Sequence, residues 1–268
     1  MAAKARHVLG ISGGKDSTAL AIYMRDKVPE IEYFFCDTGA ELKETYEYID
    51  KLEVYLGKPI NRLNPQRSFD HWLEIFGNYL PSSRMRWCTR KLKIEPFEAF
   101  VGTDPVVSYI GIRADEDRDG YISTKPNITP MFPFKDDGLR LDDIKRILNE
   151  SGIGLPKYYE WRSRSGCYFC FFQRKAEWVG LMDRHPDDFE RAKAYEKINT
   201  ITGERYTWNQ RESLDELASP ERVAEIRDKH LKAMSVAKKV APGDSLFNIL
   251  GEVLNEEDDT EPCMICSL

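Results

Sequence analysis

The 268-residue chain contains no apolar run near the ~20 residues that a membrane-crossing helix requires, which argues against an integral helical membrane protein. Histidine is scarce: His7, His71, His185 and His230 are scattered, giving little support to a histidine-rich zinc site or a Ser-His-Asp triad. A basic excess is also missing. The net charge is −6, and the segment EEDDTE (256–261) supplies five of the negative charges, leaving the remainder near −1. A global field that attracts nucleic acid is therefore excluded, and any grip on DNA or RNA must come from local patches. The opening MAAKARHVLG lacks an apolar signal core and a cleavage site, so the expected compartment is the cytoplasm.

What is present is ordinary for a globular protein, with 41% hydrophobic and 31% charged residues. The length suits one large domain or a domain with an appendage. Six cysteines in a chain of this kind point to metal binding or catalysis rather than disulfides. Four of them form two Cys-x-x-Cys pairs, Cys167 with Cys170 and Cys263 with Cys266; Cys36 and Cys88 stand apart.

Short apolar runs at 7–11, 31–36 and 105–112 read as buried parallel strands, and 17–26 and 41–56 read as helices. This alternation predicts an α/β fold, an open, mostly parallel twisted sheet with helices on both faces. Further helices are expected over 141–151 and 186–199. Another starts at Ser219-Pro220-Glu221, with Val223, Ile226, His230, Leu231 and Met234 along one face. The expected organisation is a nucleotide domain over 1–150, a cysteine-containing and helical region over 151–255, and an acidic tail with a Cys-x-x-Cys pair over 256–268.

The stretch VLGISGGKDSTALAIY (8–23) carries the chemistry. Two glycines between a strand and a helix allow a tight turn and close approach to a ligand, and a helix N-terminus offers N–H donors to an anion. Ser12, Ser17 and Thr18 add hydroxyls and Lys15 a charge. Asp16 suits a phosphate loop if it places Mg²⁺ or fixes the loop. The Walker spacing GxxxxGK[ST] is not there.

SGGKDS (12–17) resembles the PP-loop of the ATP pyrophosphatases, which cleave ATP between its α and β phosphates. FFCDTGAE (34–41), YIGIRADE (109–116) and RWCTRKLKIEP (86–96) resemble, in order, the DTG, GxRxxE and RxCxxxLK segments of the phosphoadenylyl-sulfate (PAPS) reductase-like branch. ITPMFPFKDDGLRLDDIKRIL leading to SGCYFC is similar to the element that precedes that branch's GCxxC, so the resemblance runs over about 7–173. It implies an adenine nucleotide alpha hydrolase-like fold. It also implies binding of ATP and Mg²⁺ through Ser12, Gly13, Gly14, Lys15, Asp16, Ser17, Asp37, Thr38, Gly111 and Glu116, with Lys15, Asp16 and Arg113 as catalytic residues.

Neither the Glu-Cys-Gly-Leu-His motif of assimilatory reductases nor the paired cysteines of cluster-containing reductases occurs in these residues; only Cys88 stands at the latter position. The resemblance is closest to the sulfur-transfer proteins of DNA phosphorothioation, the DndC/SspD type. These pair an ATP pyrophosphatase with a cysteine desulfurase and act on DNA in phage defence. A tRNA thiolase, a sulfonucleotide reductase and a nucleotide-sensing module that turns nothing over are the alternatives, and RNA is the alternative acceptor. A homodimer or a hetero-complex is expected.

In this family context Cys88, Cys167 and Cys170 would share a [4Fe–4S] cluster with one iron open; zinc is the alternative. Cys36, Cys263 or Cys266 could complete the set. Cys36 otherwise reads as a small buried hydrophobe. The CMICSL end is either a persulfide carrier or a tail without a role in the reaction. Arg84, Arg86, Arg90, Lys91 and Lys93, and the basic 162–164 and 174–175 stretches, read either as phosphate contacts or as solvated surface. Tyr168, Phe169, Phe171, Phe172 and Trp178 read either as base-stacking platforms or as core.

Overall fold

A computed structural model describes residues 4–64, 66–117, 123, 125–198, 204–209 and 211–237. The acidic tail with Cys263 and Cys266, and part of the polar loop after Arg113, lie outside these residues. The described residues form two compact units, the first built from residues up to Ile75 and from Trp87–Cys167, the second from Phe76–Arg86 and the described residues from Tyr168 onward. This division falls later than residue 150 and adds an excursion, 76–86, to the second unit.

The first unit holds a five-stranded sheet: β1 (Arg6–Gly10), β2 (Glu32–Cys36), β3 (Ile60–Leu63), β4 (Val106–Tyr109) and β5 (Ile128–Met131), in the order β3-β2-β1-β4-β5. Every pairing is parallel, with Leu9 opposite Tyr33 on one side and Tyr109 on the other. Parallel strands buried on both faces should be apolar throughout, as VLG and YFFC are. Alternate residues then sort the core in two. Leu9, Ile11, Tyr33, Phe35, Ile60 and Tyr109 face α1 (Lys15–Met24) and α2 (Lys43–Leu56). Val8, Phe34, Val106 and Ile128 face the helical stretch that ends in Phe97 and Val101.

After α3 (Phe69–Ile75), that helical stretch starts at Trp87–Thr89, widens into a π-helical turn over Arg90–Ile94 and continues as α4 (Glu95–Val101). Pro96 accounts for the widening. It has no N–H for the carbonyl four residues back, and its ring would crowd that carbonyl. The Glu95 N–H reaches instead to the Arg90 carbonyl, five residues back. Helix α5 (Leu141–Glu150) packs with α1 and places Ile144 and Leu148 in the same core as Leu20 and Ile49.

Strands β3 and β5 go beyond the three predicted strands. Both are edge strands: INRL carries two exposed polar residues and ITPM contains Pro130, so neither shows a buried-strand pattern.

The second unit contains α6 (Lys175–Arg184), α7 (Pro186–Ala194), a two-stranded antiparallel ribbon of β6 (Lys197–Ile198) and β7 (Arg205–Tyr206), and α8 (Pro220–Ala237). The helix predicted over 186–199 ends at Ala194 and gives way to β6. Helix α8 starts where the Ser219-Pro220 signal places it. Val223, Ile226 and Ala233 are its buried face, while Leu231 is 68% and Met234 40% exposed, so the apolar stripe drawn through those two residues is corrected. The base-stacking reading of the aromatic run is corrected as well. Tyr168, Phe169, Phe171, Phe172 and Trp178 are all buried, and Phe169 stacks on Trp208 at 5.3 Å.

Leu20 lies fully buried between α1 and the sheet. Leu20→Ala is expected to cost about 2–5 kcal/mol of unfolding free energy, read from the urea midpoint at unchanged slope.

Candidate functional site

Strand order reverses between β1 and β4: the chain builds outward through β2 and β3, then crosses to β4 and β5. Open parallel sheets hold ligands at such a point, outside the carboxyl ends of the strands. The loop after β1 carries Ser12–Ser17 and the segment after β4 carries Gly111–Glu116. The topology thus brings two motifs about a hundred residues apart in sequence to one crevice.

The loop turns on Gly13, whose φ of +73° is in the left-handed region; a Cβ there would lie 2.6 Å from Thr45 Cγ2. Helix α1 begins after Gly14, which has no side chain to cap it, so its first amides look for partners outside the helix. The Thr18 N–H closes the first turn on the Gly14 carbonyl at 3.1 Å. The hydroxyls of Ser12 and Ser17 lie 3.0 Å apart, and Ser17 also accepts the Ser12 N–H at 3.1 Å. A Cβ at Gly111 would sit 3.1 Å from the Asp16 carbonyl oxygen, so the β4 segment passes close over the loop backbone and glycine eases that approach.

Asp16 joins the two segments. Its carboxylate receives Lys15 Nζ at 3.0 Å on Oδ2 and Arg113 NH1 at 2.7 Å on Oδ1. Arg113, only 7% exposed, also meets Asp115 through Nε at 2.9 Å and Glu116 through NH1 at 3.0 Å. Burial opposes ionisation of Asp16, but Lys15 and Arg113 outweigh it and hold the carboxyl below its usual range. Burial likewise opposes charge on Lys15 and Arg113, and the groups around each more than offset it, Tyr159 and Asp16 for Lys15 and mainly Asp16 and Glu116 for Arg113. Both cations lie above their ordinary values. Of the two roles open to Asp16, fixing the loop is the one its contacts display, since each oxygen already has a cationic partner.

Asp37 accepts from the Tyr46 hydroxyl at 2.7 Å and the Gly39 N–H at 2.9 Å, which ties the end of β2 to α2. Thr38 is buried and its hydroxyl lies 3.2 Å from Cys167 Sγ. Beside them Glu41, which no motif singled out, accepts from Thr38 at 3.4 Å and from the Cys167 thiol at 3.8 Å. Its Oε2 is buried without a partner. Burial pushes the Glu41 carboxyl up, and the fields of Lys93 and Arg162 only partly counter this.

Sequence patterns also missed the wall formed by 158–165. The Tyr158 hydroxyl donates to the Gly13 carbonyl at 2.6 Å, the Lys15 N–H donates to the Tyr159 hydroxyl at 3.1 Å, and Ser165 Oγ lies 3.4 Å from Ser12 Oγ. Arg162 is 2% exposed and donates to the carbonyls of Gly166 and Cys167, each at 2.8 Å. It holds the turn before the Cys-x-x-Cys pair and is not a surface phosphate contact.

Cys88, Cys167 and Cys170 are half-buried and form no disulfide among the described residues, thiols of the donor type that iron or zinc takes. Cys88 and Cys167 belong to the first unit and Cys170 to the second. Among the described residues, no group of three or more His, Cys, Asp or Glu side chains is placed to hold a metal ion. Cys36 is buried in β2 as a small hydrophobe, its thiol pushed up to about 12 by burial. Of the basic residues near Cys88, Lys91 pairs with Glu95 at 2.7 Å and covers the Trp72 ring, while Arg84 and Arg90 are exposed. Lys175 is held by Glu212 at 2.8 Å. Among the described residues no helix is long and apolar enough to cross a membrane.

Residues 6–126 match the family described as the phosphoadenosine phosphosulfate reductase domain. A protein of Methanocaldococcus jannaschii is 28% identical over 211 residues, covering 74% of this chain and 41% of that protein. A 37.8 kDa protein from the gpa 5′ region of Escherichia phage 186 is 27% identical, covering 72% of this chain and 75% of its own. The chain spans less than half the length of the archaeal relatives it matches. Among solved structures, the PAPS reductase of Candida auris in its phosphate complex is similar with a TM-score of 0.49 and 15% identity, covering 62% of this chain and 83% of that one.

Because the Glu41 carboxyl binds its proton more tightly in the native state, its contribution to stability is complete below its unfolded value of 4.5. It is lost as the pH rises from there through the raised native value. Glu41→Gln should therefore gain stability over the parent across that range, with a slope of at most about 1.4 kcal/mol per pH unit, and should match it below. Urea unfolding at a series of pH values checks this.

Proposed function

We propose that this chain, whose residues 6–126 match the phosphoadenosine phosphosulfate reductase domain, is an ATP pyrophosphatase that activates a phosphate for sulfur transfer. The observation that carries the reading is the uncapped start of α1, set at the reversal of strand order and joined through Asp16 to Arg113. Phosphoryl chemistry needs positioning and charge neutralisation more than covalent participation. An acceptor oxygen attacks the α-phosphorus, the α–β bond breaks and pyrophosphate leaves. The loop amides, the Ser12 and Ser17 hydroxyls and Lys15 take up the charge on the departing group, and Arg113 holds the loop rigid through Asp16.

The acceptor in this reading is a non-bridging oxygen of the DNA backbone. Once it carries AMP, a persulfide supplied by a cysteine desulfurase attacks the backbone phosphorus through its outer sulfur, AMP departs with the oxygen, and a second thiol reduces the remaining S–S bond to leave the phosphorothioate and a disulfide. The sequence resemblance to the DndC/SspD type supports this acceptor, and Arg84 and Arg90 are exposed cations suited to a phosphate backbone. The thiols of Cys88, Cys167 and Cys170 have the donor chemistry for an iron–sulfur centre; iron and acid-labile sulfide in protein purified without oxygen would support it. The domain match favours a second reading, sulfonucleotide reduction, which would release sulfite from PAPS with a dithiol reductant.

Mass spectrometry of nuclease-digested DNA from cells with and without the gene separates these readings. Phosphorothioate dinucleotides should depend on the gene, and their absence together with sulfite release from PAPS would reverse the assignment. With purified protein, ATP should yield AMP and pyrophosphate in equal amounts, and Lys15→Ala should lower the rate by about 10²-fold or more. Two cations, Lys15 and Arg113, face the three carboxylates of Asp16, Asp115 and Glu116. A triphosphate therefore needs Mg²⁺ as its counter-ion, and EDTA is expected to abolish ATP binding measured by calorimetry.

A further inference from the structure

Tyr159 belongs to none of the motifs that identify the loop, yet its hydroxyl lies at the start of α1. The Lys15 N–H donates to it at 3.1 Å, and a Cβ built on Gly14 would come within 3.5 Å of it. Its neighbour fixes its position: Tyr158 is anchored on the Gly13 carbonyl at 2.6 Å, and the two rings stack at 5.0 Å. A phenol accepts through its lone pairs and gives one proton. Tyr159 accepts from the Lys15 N–H, so its own proton is given in another direction. Burial raises its pKa, so at neutral pH it is an uncharged donor. The Lys15 ammonium lies 5.4 Å from the centre of its ring. An oriented neutral donor beside an ammonium at the start of a helix is complementary to an oxyanion.

We propose that Tyr159 is a phosphate-binding residue whose hydroxyl donates to an oxygen of the pyrophosphate portion of the ligand. The inference rests on reading Ser12–Ser17 as a phosphate cradle, and it makes the cradle two-sided. The loop and α1 supply backbone amides from below, and a side chain 144 residues later supplies a donor from above. The ligand class is an anion bearing two linked phosphates, which either ATP or free pyrophosphate provides.

Calorimetric titration of the full chain in Mg²⁺, with inorganic pyrophosphate and separately with ATP, tests this. Tyr159→Phe keeps the ring and should melt like the parent without ligand. It should bind both probes weaker by about tenfold or more, as loss of a hydrogen bond to a charged group requires. Equal or tighter binding by Tyr159→Phe would overturn the inference, since the hydroxyl would then only be filling the place of the ligand. Weakening confined to ATP would overturn it too, by moving the contact off the pyrophosphate. If Tyr159→Phe does not fold, 3-fluorotyrosine at position 159 serves instead. Its more acidic phenol should tighten pyrophosphate binding, and weaker binding overturns the inference. Lys15→Ala separates the two levels. If the parent binds pyrophosphate and Lys15→Ala loses it while Tyr159→Phe does not, the cradle stands and only the role of Tyr159 falls. A parent that binds neither probe removes the cradle itself.

Discussion

The contact between Asp16 and Arg113 joins two loops that leave neighbouring strands on either side of the point where the strand order reverses. A nearly buried ion pair is a poor source of stability, because taking both charges out of water costs about as much as their attraction returns. Its value here is geometric. Arg113 spreads its guanidinium over Asp16, Asp115 and Glu116, and Asp16 in turn holds Lys15, so the loop's only charged donor is placed by a group on another strand. Gly111 allows the backbones to approach closely enough for this.

The same economy of charge shapes the surroundings. Arg162 is committed to the carbonyls of Gly166 and Cys167, Lys91 to Glu95 and Trp72, and Lys175 to Glu212. Much of the cationic character near the cysteines is thus consumed inside the protein. The aromatic residues that follow Cys167 are consumed likewise, as the core of the second unit.

Much of the fold was legible because buried parallel strands and helices declare themselves by apolar runs and by period. HVLG, EYFFC and VVSY were read as strands, and the glycine turn was read as leading into a helix. The edge strands were not legible, since half their surface faces solvent and their polar residues or proline erase the pattern. In α8 an apolar stripe drawn at helical spacing included Leu231 and Met234, which are exposed; spacing sets a face but does not say where the neighbouring elements end. At the site, the loop, Arg113 and Gly111 were visible through their motifs. Glu41, Tyr158 and Tyr159 were not, because their part depends on contacts across the fold rather than on spacing. Only afterwards does Glu41, an acid set between Ala40 and Leu42, stand out as a signal.

The bond from Tyr158 to the Gly13 carbonyl spans 145 residues. The segment matched to a known domain ends at residue 126, so it contains the loop and Arg113 but not the tyrosines that close over them. The domain match is therefore shorter than the set of segments that meet at the loop, because the tyrosines that touch Gly13 and Lys15 lie outside it.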